Sequence, residues 1–569
     1  MENFFLDNED ILFQLDHIDL DRVIAYKEDN FQEAKRFPYA PVDSADAMDS
    51  YKKVLSIIGE ICGETLEPLA AEIDEEGVKL ENGEVVYAKG TKLVMDMFAK
   101  ADLMGFGLPR KYGGLNFPTT MLTIAAEIVS RADASFLNFG LQQDIGETIN
   151  KFASDQQKDL ILPKLATGEY GASMILTEPD AGSDLQAVNL RAHQDANGNW
   201  FLNGVKRFIT NGNGKVGLVL ARSEEGQTGA RGLSFFLYTR DEHMTVRRLE
   251  HKLGIHGSPT CELQFNNAPA TLVGERRRGL TRYTMWLMNS ARLGIAAQAL
   301  GIAEASYREA DKYAKERIQF GKTIREIPPV YEMLTDMRVA IEAGRTLLYE
   351  TAKIVDLKEG LEHMKEKYPE RSAEFKSDLK KYSRLANLLT PMVKAYNTEM
   401  ANKAAYDAIQ IHGGTGYMKE FNVERHYRDA RITNIYEGTT QLQVVAAIGG
   451  VTSGTATALL DEFDSEDYSY APALQKKLQR CRLDFEKALI GVKEVDETDF
   501  IDFHARRCVE MATDLVQGYL LLRDSEHSER KMRITEIFIG KMQSRIHMNM
   551  HYIIDGGSTF LKNYGDVIG

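Results

Sequence analysis

The residue of this chain best placed to act as a base is Glu437, within Ile435-Tyr436-Glu437-Gly438-Thr439-Thr440-Gln441-Leu442-Gln443. Thr440 followed three residues later by Gln443 reads as a capping box, so a helix is predicted to start there and to end at Gly449-Gly450. Glu437 then lies in the loop ahead of that helix, beside a glycine that lets another molecule approach closely. Ile435 and Tyr436 imply partial burial, and no cation stands nearby in the local sequence. A carboxylate so placed holds its proton more tightly than a solvated one, as a general base near neutral pH requires. The plainer reading is a solvated glutamate favoured by the helix dipole.

Other segments offer anion-binding chemistry. Gln410-Ile411-His412-Gly413-Gly414-Thr415-Gly416 ends a long helical pattern. One glycine would cap that helix; three in four positions leave backbone N–H groups open to a phosphate. Leu176-Thr177-Glu178-Pro179-Asp180-Ala181-Gly182-Ser183-Asp184 is a turn-rich stretch with hydroxyl and carboxylate handles. Arg317-Ile318-Gln319-Phe320-Gly321 sets a cation and an aromatic ring where a helix stops, and Arg276-Arg277-Arg278 is a basic loop. Gly212-Asn213-Gly214-Lys215-Val216-Gly217 matches the dinucleotide fingerprint, but Leu218-Val219-Leu220 after it is a strand rather than a helix. The pyrophosphate would have no helix N-terminus to sit on, so a loop between strands is expected instead.

The elements that must position these residues follow from hydrophobic period. Residues 1–50 read as an acidic helical arm with a Pro-punctuated linker, and 47–169 as helices broken by a loop at 109–114. Short β-rich runs at 199–204, 216–221, 233–238 and 260–265 predict an antiparallel sheet or small barrel. Long helices are predicted over 285–317 and 383–411, separated by a charged stretch, 356–380, read as a solvated face. A Ser/Thr/Asp-rich linker at 451–468 and a last helical unit from 471 complete the chain.

Composition bounds the function. With 569 residues, 43% hydrophobic and 27% charged, the chain suits several packed domains rather than disorder. A net charge of −15 argues against a nucleic-acid binder, and no run is long enough for an integral membrane segment. The acidic N-terminus fits neither a secretory signal nor a transit peptide. Cys62, Cys261, Cys481 and Cys508 form no paired or metal-binding pattern, so a cytoplasmic protein without structural metal is expected.

Six segments, taken in order, carry a family likeness. They are Lys111-Tyr112-Gly113-Gly114, Thr177-Glu178-Pro179-Asp180-Ala181-Gly182-Ser183-Asp184, Lys206-Arg207-Phe208-Ile209-Thr210-Asn211-Gly212, Glu316-Arg317-Ile318-Gln319-Phe320-Gly321, Gln410-Ile411-His412-Gly413-Gly414 and Tyr436-Glu437-Gly438-Thr439. Across residues 50–450 the chain resembles the acyl-CoA dehydrogenase family, and its length resembles the larger bacterial members with a C-terminal helical extension.

The resemblance implies an α+β fold: an N-terminal arm (1–50), a helical domain (51–170), a central antiparallel β-domain (171–278), a C-terminal four-helix bundle (279–450) and an extra helical unit (451–569). It implies FAD bound between the β-domain and the bundle. Leu176 and Thr177 would contact the flavin ring, Ser183 the pyrophosphate or the CoA side, Phe208 the isoalloxazine face, and Thr210 the region of N5. Arg317, Phe320, Gln410, Gly413 and Gly414 would meet the FAD of a neighbouring subunit, and Thr439 and Gln441 match further cofactor positions. Ser183, Arg292, Tyr436 and Gly438 would serve the acyl-CoA. Glu437 matches the base of the main branch, whereas other branches carry it where this chain has Ala291, which cannot take a proton.

The implied reaction is α,β-dehydrogenation of a saturated acyl-CoA to the trans-2-enoyl-CoA in fatty acid β-oxidation, with electrons passed to an electron-transfer flavoprotein. The family often has a glutamine where this chain has Ile327-Pro328-Pro329, which removes one expected contact between subunits. The extension makes a homodimer as plausible as a homotetramer. An oxygen-using acyl-CoA oxidase, a non-catalytic acyl-CoA-binding scaffold and a decarboxylating dehydrogenase share the same motifs and stay open.

Overall fold

The computed structural model describes residues 2–140, 143–495, 498–556 and 559–569. Its helices are α1 (Glu9–His17), α2 (Asp21–Lys27), α3 (Ser44–Ile61), α4 (Glu67–Glu76), α5 (Lys89–Lys100), α6 (Thr119–Ala132), α7 (Ala134–Gly140), α8 (Gln143–Phe152), α9 (Asp155–Ala166), α10 (Met285–Glu316), α11 (Pro328–Lys367), α12 (Ser372–His412), α13 (Val423–Thr433), α14 (Thr440–Thr452), α15 (Thr455–Asp464), α16 (Pro472–Glu494), α17 (Thr498–Ser525), α18 (Glu529–Gly556) and α19 (Thr559–Ile568). A small hairpin, β1 (Lys79–Glu81) and β2 (Glu84–Val86), interrupts the first helical stretch. The central strands are β3 (Ala172–Ile175), β4 (Arg191–Gln194), β5 (Trp200–Thr210), β6 (Val216–Arg222), β7 (Leu233–Thr239), β8 (Met244–Leu249) and β9 (Thr260–Leu272). The fold is helical, then β, then helical, with extra C-terminal helices. Two compact units divide it.

One unit holds residues 1–9, 27–302 and 425–432. Within it β6, β4, β5, β9 and β7 pair in a ring that closes through β6–β7, so the sheet is a small barrel. Of the expected antiparallel sheet or small barrel, the barrel is what forms; its pairings are antiparallel except that β3 and β4 pair parallel with β6. β3, β4 and β8 are four to six residues long with little alternation, and the sequence pattern did not reveal them. Period two sorts the side chains: Val219, Ala221, Phe236 and Tyr238 pack inside the barrel with Trp200 and Leu263. Val216, Leu218, Leu220, Phe235 and Leu237 face the other way, onto Ile161, Leu162 and Leu165 of α9. β6 and β7 are buried on both faces for this reason. The glycine-rich turn at 212–217 joins β5 to β6, strand to strand.

The other unit holds residues 10–26, 303–424 and 433–569. Its frame is the pair α11 and α12, of 40 and 41 residues. The charged stretch at 356–380 is the end of α11 and the start of α12, and its inner side buries Leu361, Met364 and Phe375 against Tyr26. Residues 451–468 are mostly helix rather than linker. α14 runs past Gly449 and Gly450, and α15 buries Ala456, Leu459, Leu460 and Phe463. Its apolar spacing was masked by the Thr, Asp and Glu residues between them.

α1 is wired into the extension by buried charge. Asp10 on α1 lies 2.5 Å from Arg345 of α11 and also meets Lys531 of α18. Arg345 reaches Glu304 at 2.9 Å, and Lys531 reaches Glu342 at 2.9 Å. All five side chains are fully or almost fully buried. Burial opposes ionisation of Asp10, but the Lys531 and Arg345 cations outweigh it and hold the carboxyl well below its usual range.

Candidate active site

Glu437 sits three residues ahead of α14, half-buried, with a left-handed backbone (φ +54°), and Gly438 follows at φ +90°. Glycine adopts that region freely, whereas a glutamate there is strained by about 1 kcal/mol. The strain is held by side chains that bind the loop's carbonyls. Gln443 Nε2 donates to Glu437 O at 3.1 Å and to Gly438 O at 2.9 Å, and Lys394 Nζ donates to Gly438 O at 2.6 Å. Both side chains are fully buried. The Thr440 hydroxyl donates to Glu399 Oε1 at 2.5 Å, Asn434 Nδ2 donates to the same atom at 3.3 Å, and Thr440 N closes the loop on Asn434 O at 3.1 Å. Lys394 and Glu399 both come from α12, which therefore holds the loop at its middle and at its ends.

The N-cap differs from expectation by one residue. Thr439, not Thr440, caps α14 by accepting from Leu442 N, and Gln443 turns to the strained carbonyls instead of closing a capping box. Tyr436 and Thr439 are half-buried, while Ile435 and Gln441 are exposed. Lys394 is absent from any reading of local sequence, since it stands 43 positions before Glu437. Its signal was a lone cation inside an apolar helical run, Leu388-Leu389-Thr390-Pro391-Met392-Val393-Lys394.

In the same unit Arg317 precedes a small hairpin that pairs Ile318–Gln319 with Lys322–Thr323, and Phe320 lies in its turn, 93% exposed with φ +52°. Gln410 is exposed at the end of α12. Gly413 has φ +63°, and a Cβ on it or on Gly414 would meet nothing within 4 Å, so the backbone there is open to a ligand. His412 is buried, its Nδ1 donating to Ala408 O at 2.8 Å, and is stacked on Tyr313 at 4.3 Å; burial pushes its pKa down.

In the barrel unit, β3 leads directly into Leu176 and Thr177. Arg207 N donates to Thr177 O at 3.0 Å, and Lys206 Nζ donates to Leu176 O at 2.6 Å, which brings Leu176 and Thr177 beside Lys206, Arg207 and Phe208 of β5. Lys206 is fully buried and pairs with Glu178 at 2.9 Å. Burial pushes Lys206 down to about 8, against the pull of that carboxylate. Glu178 in turn accepts from Asn189 N and Leu190 N at 2.7 and 2.9 Å. Phe208 is half-exposed at φ +61°, and Thr210 ends β5 opposite Thr260. Ser183 is exposed on the turn after Glu178, and Arg292 is buried on α10 with Nη1 on Asn289 at 2.9 Å.

These arrangements match known proteins. Residues 49–169, 173–268 and 278–448 match the N-terminal, middle and C-terminal domains of acyl-CoA dehydrogenase, and 452–555 match the description "Acyl-CoA dehydrogenase C terminal". The 3-methylmercaptopropionyl-CoA dehydrogenase of Ruegeria pomeroyi is 38% identical over 71% of this chain and 70% of its own. The chain belongs to the acyl-CoA dehydrogenase family. An acyl-CoA dehydrogenase of Bacillus anthracis, solved with FAD, shares the fold at TM-score 0.75 over 93% of this chain and 91% of its own, with 21% identity. A chain in a structure of the electron-transferring flavoprotein of Acidaminococcus fermentans aligns at TM-score 0.60 and 29% identity, over 70% of this chain and 97% of its own.

As an acyl-CoA dehydrogenase the chain is an oxidoreductase and a flavoprotein whose cofactor is FAD. The residues present fit that group. Phe208 is a half-exposed aromatic ring and Thr177 a half-buried hydroxyl residue in the barrel unit, and in the other unit Gly413-Gly414 leaves uncovered backbone. Phe208, Phe320 and Glu437 are non-glycine residues held at positive φ, a strain that persists only where surrounding structure enforces it.

Proposed function

We propose that this chain dehydrogenates a saturated acyl-CoA to the trans-2-enoyl-CoA, with Glu437 as the base. The observation that carries this reading is the half-buried Glu437, fixed in a left-handed loop by buried donors rather than left to move in solvent. An α C–H beside a thioester is a weak acid, so the developing negative charge on the carbonyl needs donors already in place. The loop's carbonyls turn inward to Lys394 and Gln443, which leaves the outward side to substrate. Glu437 takes the α proton as the α,β double bond forms. Leu176, Thr177, Phe208 and Thr210 would hold FAD, which when bound would supply the acceptor for the hydride of the β carbon. Arg317, Phe320, Gln410, Gly413, Gly414, Thr439 and Gln441 serve the cofactor, and Ser183, Arg292, Tyr436 and Gly438 serve the acyl-CoA.

The same reading makes the protein a cytoplasmic homo-oligomer of fatty acid β-oxidation that passes electrons to an electron-transfer flavoprotein. The likeness to a chain solved in a study of that partner supports it. Among the described residues no single helix is long and apolar enough to cross a membrane.

The test is anaerobic mixing of the purified yellow protein with straight, branched, aromatic and dicarboxylic acyl-CoAs, 3-methylmercaptopropionyl-CoA included. Bleaching of the oxidised flavin band is expected with at least one saturated thioester. Glu437→Gln should keep FAD and acyl-CoA binding yet lose turnover by at least about 1,000-fold; near-normal turnover removes Glu437 as base.

A further inference from the structure

A glutamate at φ +54° needs a reason to stay there, and the donors that hold it converge from two different helices. Gly438 O receives Lys394 Nζ from α12 at 2.6 Å and Gln443 Nε2 from α14 at 2.9 Å; Glu437 O receives Gln443 Nε2 at 3.1 Å. Burying an ammonium is costly, so a fully buried lysine that donates to a loop carbonyl marks a position that geometry demands. The left-handed pair at 437 and 438 is what turns those carbonyls inward.

We infer that Lys394 and Gln443 are positioning residues that aim Glu437 at the α carbon of the substrate by clamping the carbonyls of Glu437 and Gly438. The inference rests on the reading of Glu437 as base. Without the clamp, the loop relaxes toward right-handed backbone conformations, and the carboxylate leaves its line of approach. A displacement of about 1 Å in such a group costs on the order of 100-fold in rate. No other residue fits at 438: a Cβ there would sit 2.7 Å from Gln443 Nε2 in a backbone region unfavourable to residues with side chains.

The experiment uses the full-length FAD-loaded protein and the variants Lys394→Met, Gln443→Leu, Gly438→Ala and Glu437→Gln. Amide hydrogen exchange of residues 434–440 is read without substrate, and turnover is read with butyryl-CoA and with its α-deuterated form. Lys394→Met and Gln443→Leu should each speed exchange in that segment and lower kcat by about 10- to 100-fold. Flavin content and the dissociation constant of crotonyl-CoA should stay within about two-fold, and the primary isotope effect on kcat should rise as proton abstraction becomes slower. A purely structural defect would move flavin content and binding as well. Unchanged exchange and turnover in both Lys394→Met and Gln443→Leu would overturn the inference. Full turnover in Glu437→Gln, with faster exchange in Lys394→Met, would overturn the base assignment and leave the clamp as a loop-ordering device only. Gly438→Ala, whose Cβ presses on Gln443 Nε2 and strains the loop, should lower kcat in the same way.

Discussion

Replacing Arg345 with methionine tests the buried charge cluster that ties α1 to the extension. Arg345 is fully buried, 2.5 Å from Asp10 and 2.9 Å from Glu304. Asp10 would keep Lys531, and Glu304 would keep Arg308 at 2.7 Å and Arg338 at 3.6 Å. Stranding a buried charge costs about 3–5 kcal/mol, and the remaining cations place Arg345→Met at the lower end, about 3 kcal/mol. At about 2 °C per kcal/mol for a unit of this size, the transition of the helical unit should fall by about 6 °C. Differential scanning calorimetry at pH 7.5 reads it. The buried pair is shielded from ions, so 0.5 M NaCl should leave the difference in place.

The double variant Asp10→Asn, Arg345→Met should lose less than the sum of the singles, because the two groups touch. Asp10 is held below its unfolded value, so its contribution is present above about pH 4 and disappears as pH falls through the folded value. A loss under about 1 kcal/mol, or one abolished by salt, would refute the view that these charges fasten α1 to α11 and α18.

Three further outcomes are expected. Lys206→Met strands Glu178 and frees Leu176 O, so the protein should lose FAD on gel filtration, by at least about half, measured as the ratio of flavin to protein absorbance. Asp429 accepts from Ile255 N at 2.5 Å, and burial pushes its carboxyl up to about 7. The folded protein thus binds the proton that the unfolded chain has already released, and stability should fall by about 2–3 kcal/mol between pH 5 and pH 8; Asp429→Asn, followed by urea midpoints, should flatten that decline. His504 is buried among Phe500, Phe503 and Tyr552 with neither ring nitrogen bonded, and burial pushes it down to about 4. Its folded pKa lies below the unfolded one, so stability should be full above about pH 6.5 and decline toward pH 4; His504→Phe should remove that decline in the same urea series.

Much of the layout was legible from local pattern. Long amphipathic helices such as α6, α10 and α12, and strands β6 and β7, announce themselves because burying one face imposes a period that composition cannot hide. The six motif segments named the family and the candidate residues, and a glutamate followed by glycine ahead of a helix needs only adjacent residues to be recognised. Short or masked elements escaped: β3, β4 and β8 are too short to show a period, and α15 carries its apolar residues under polar neighbours.

Tertiary structure alone decided what surrounds the candidate residues. Lys394 meets Gly438 from 44 positions away, Lys206 meets Leu176 from 30, and Asp10 meets Lys531 across nearly the whole chain. A buried charge must find its partner wherever packing delivers one, and packing depends on how helices and strands stack rather than on residues adjacent in sequence. The types and order of the reactive residues are therefore a property of the sequence, while the left-handed backbone of Glu437 and the donors that hold it exist only once α12 and α14 have packed together.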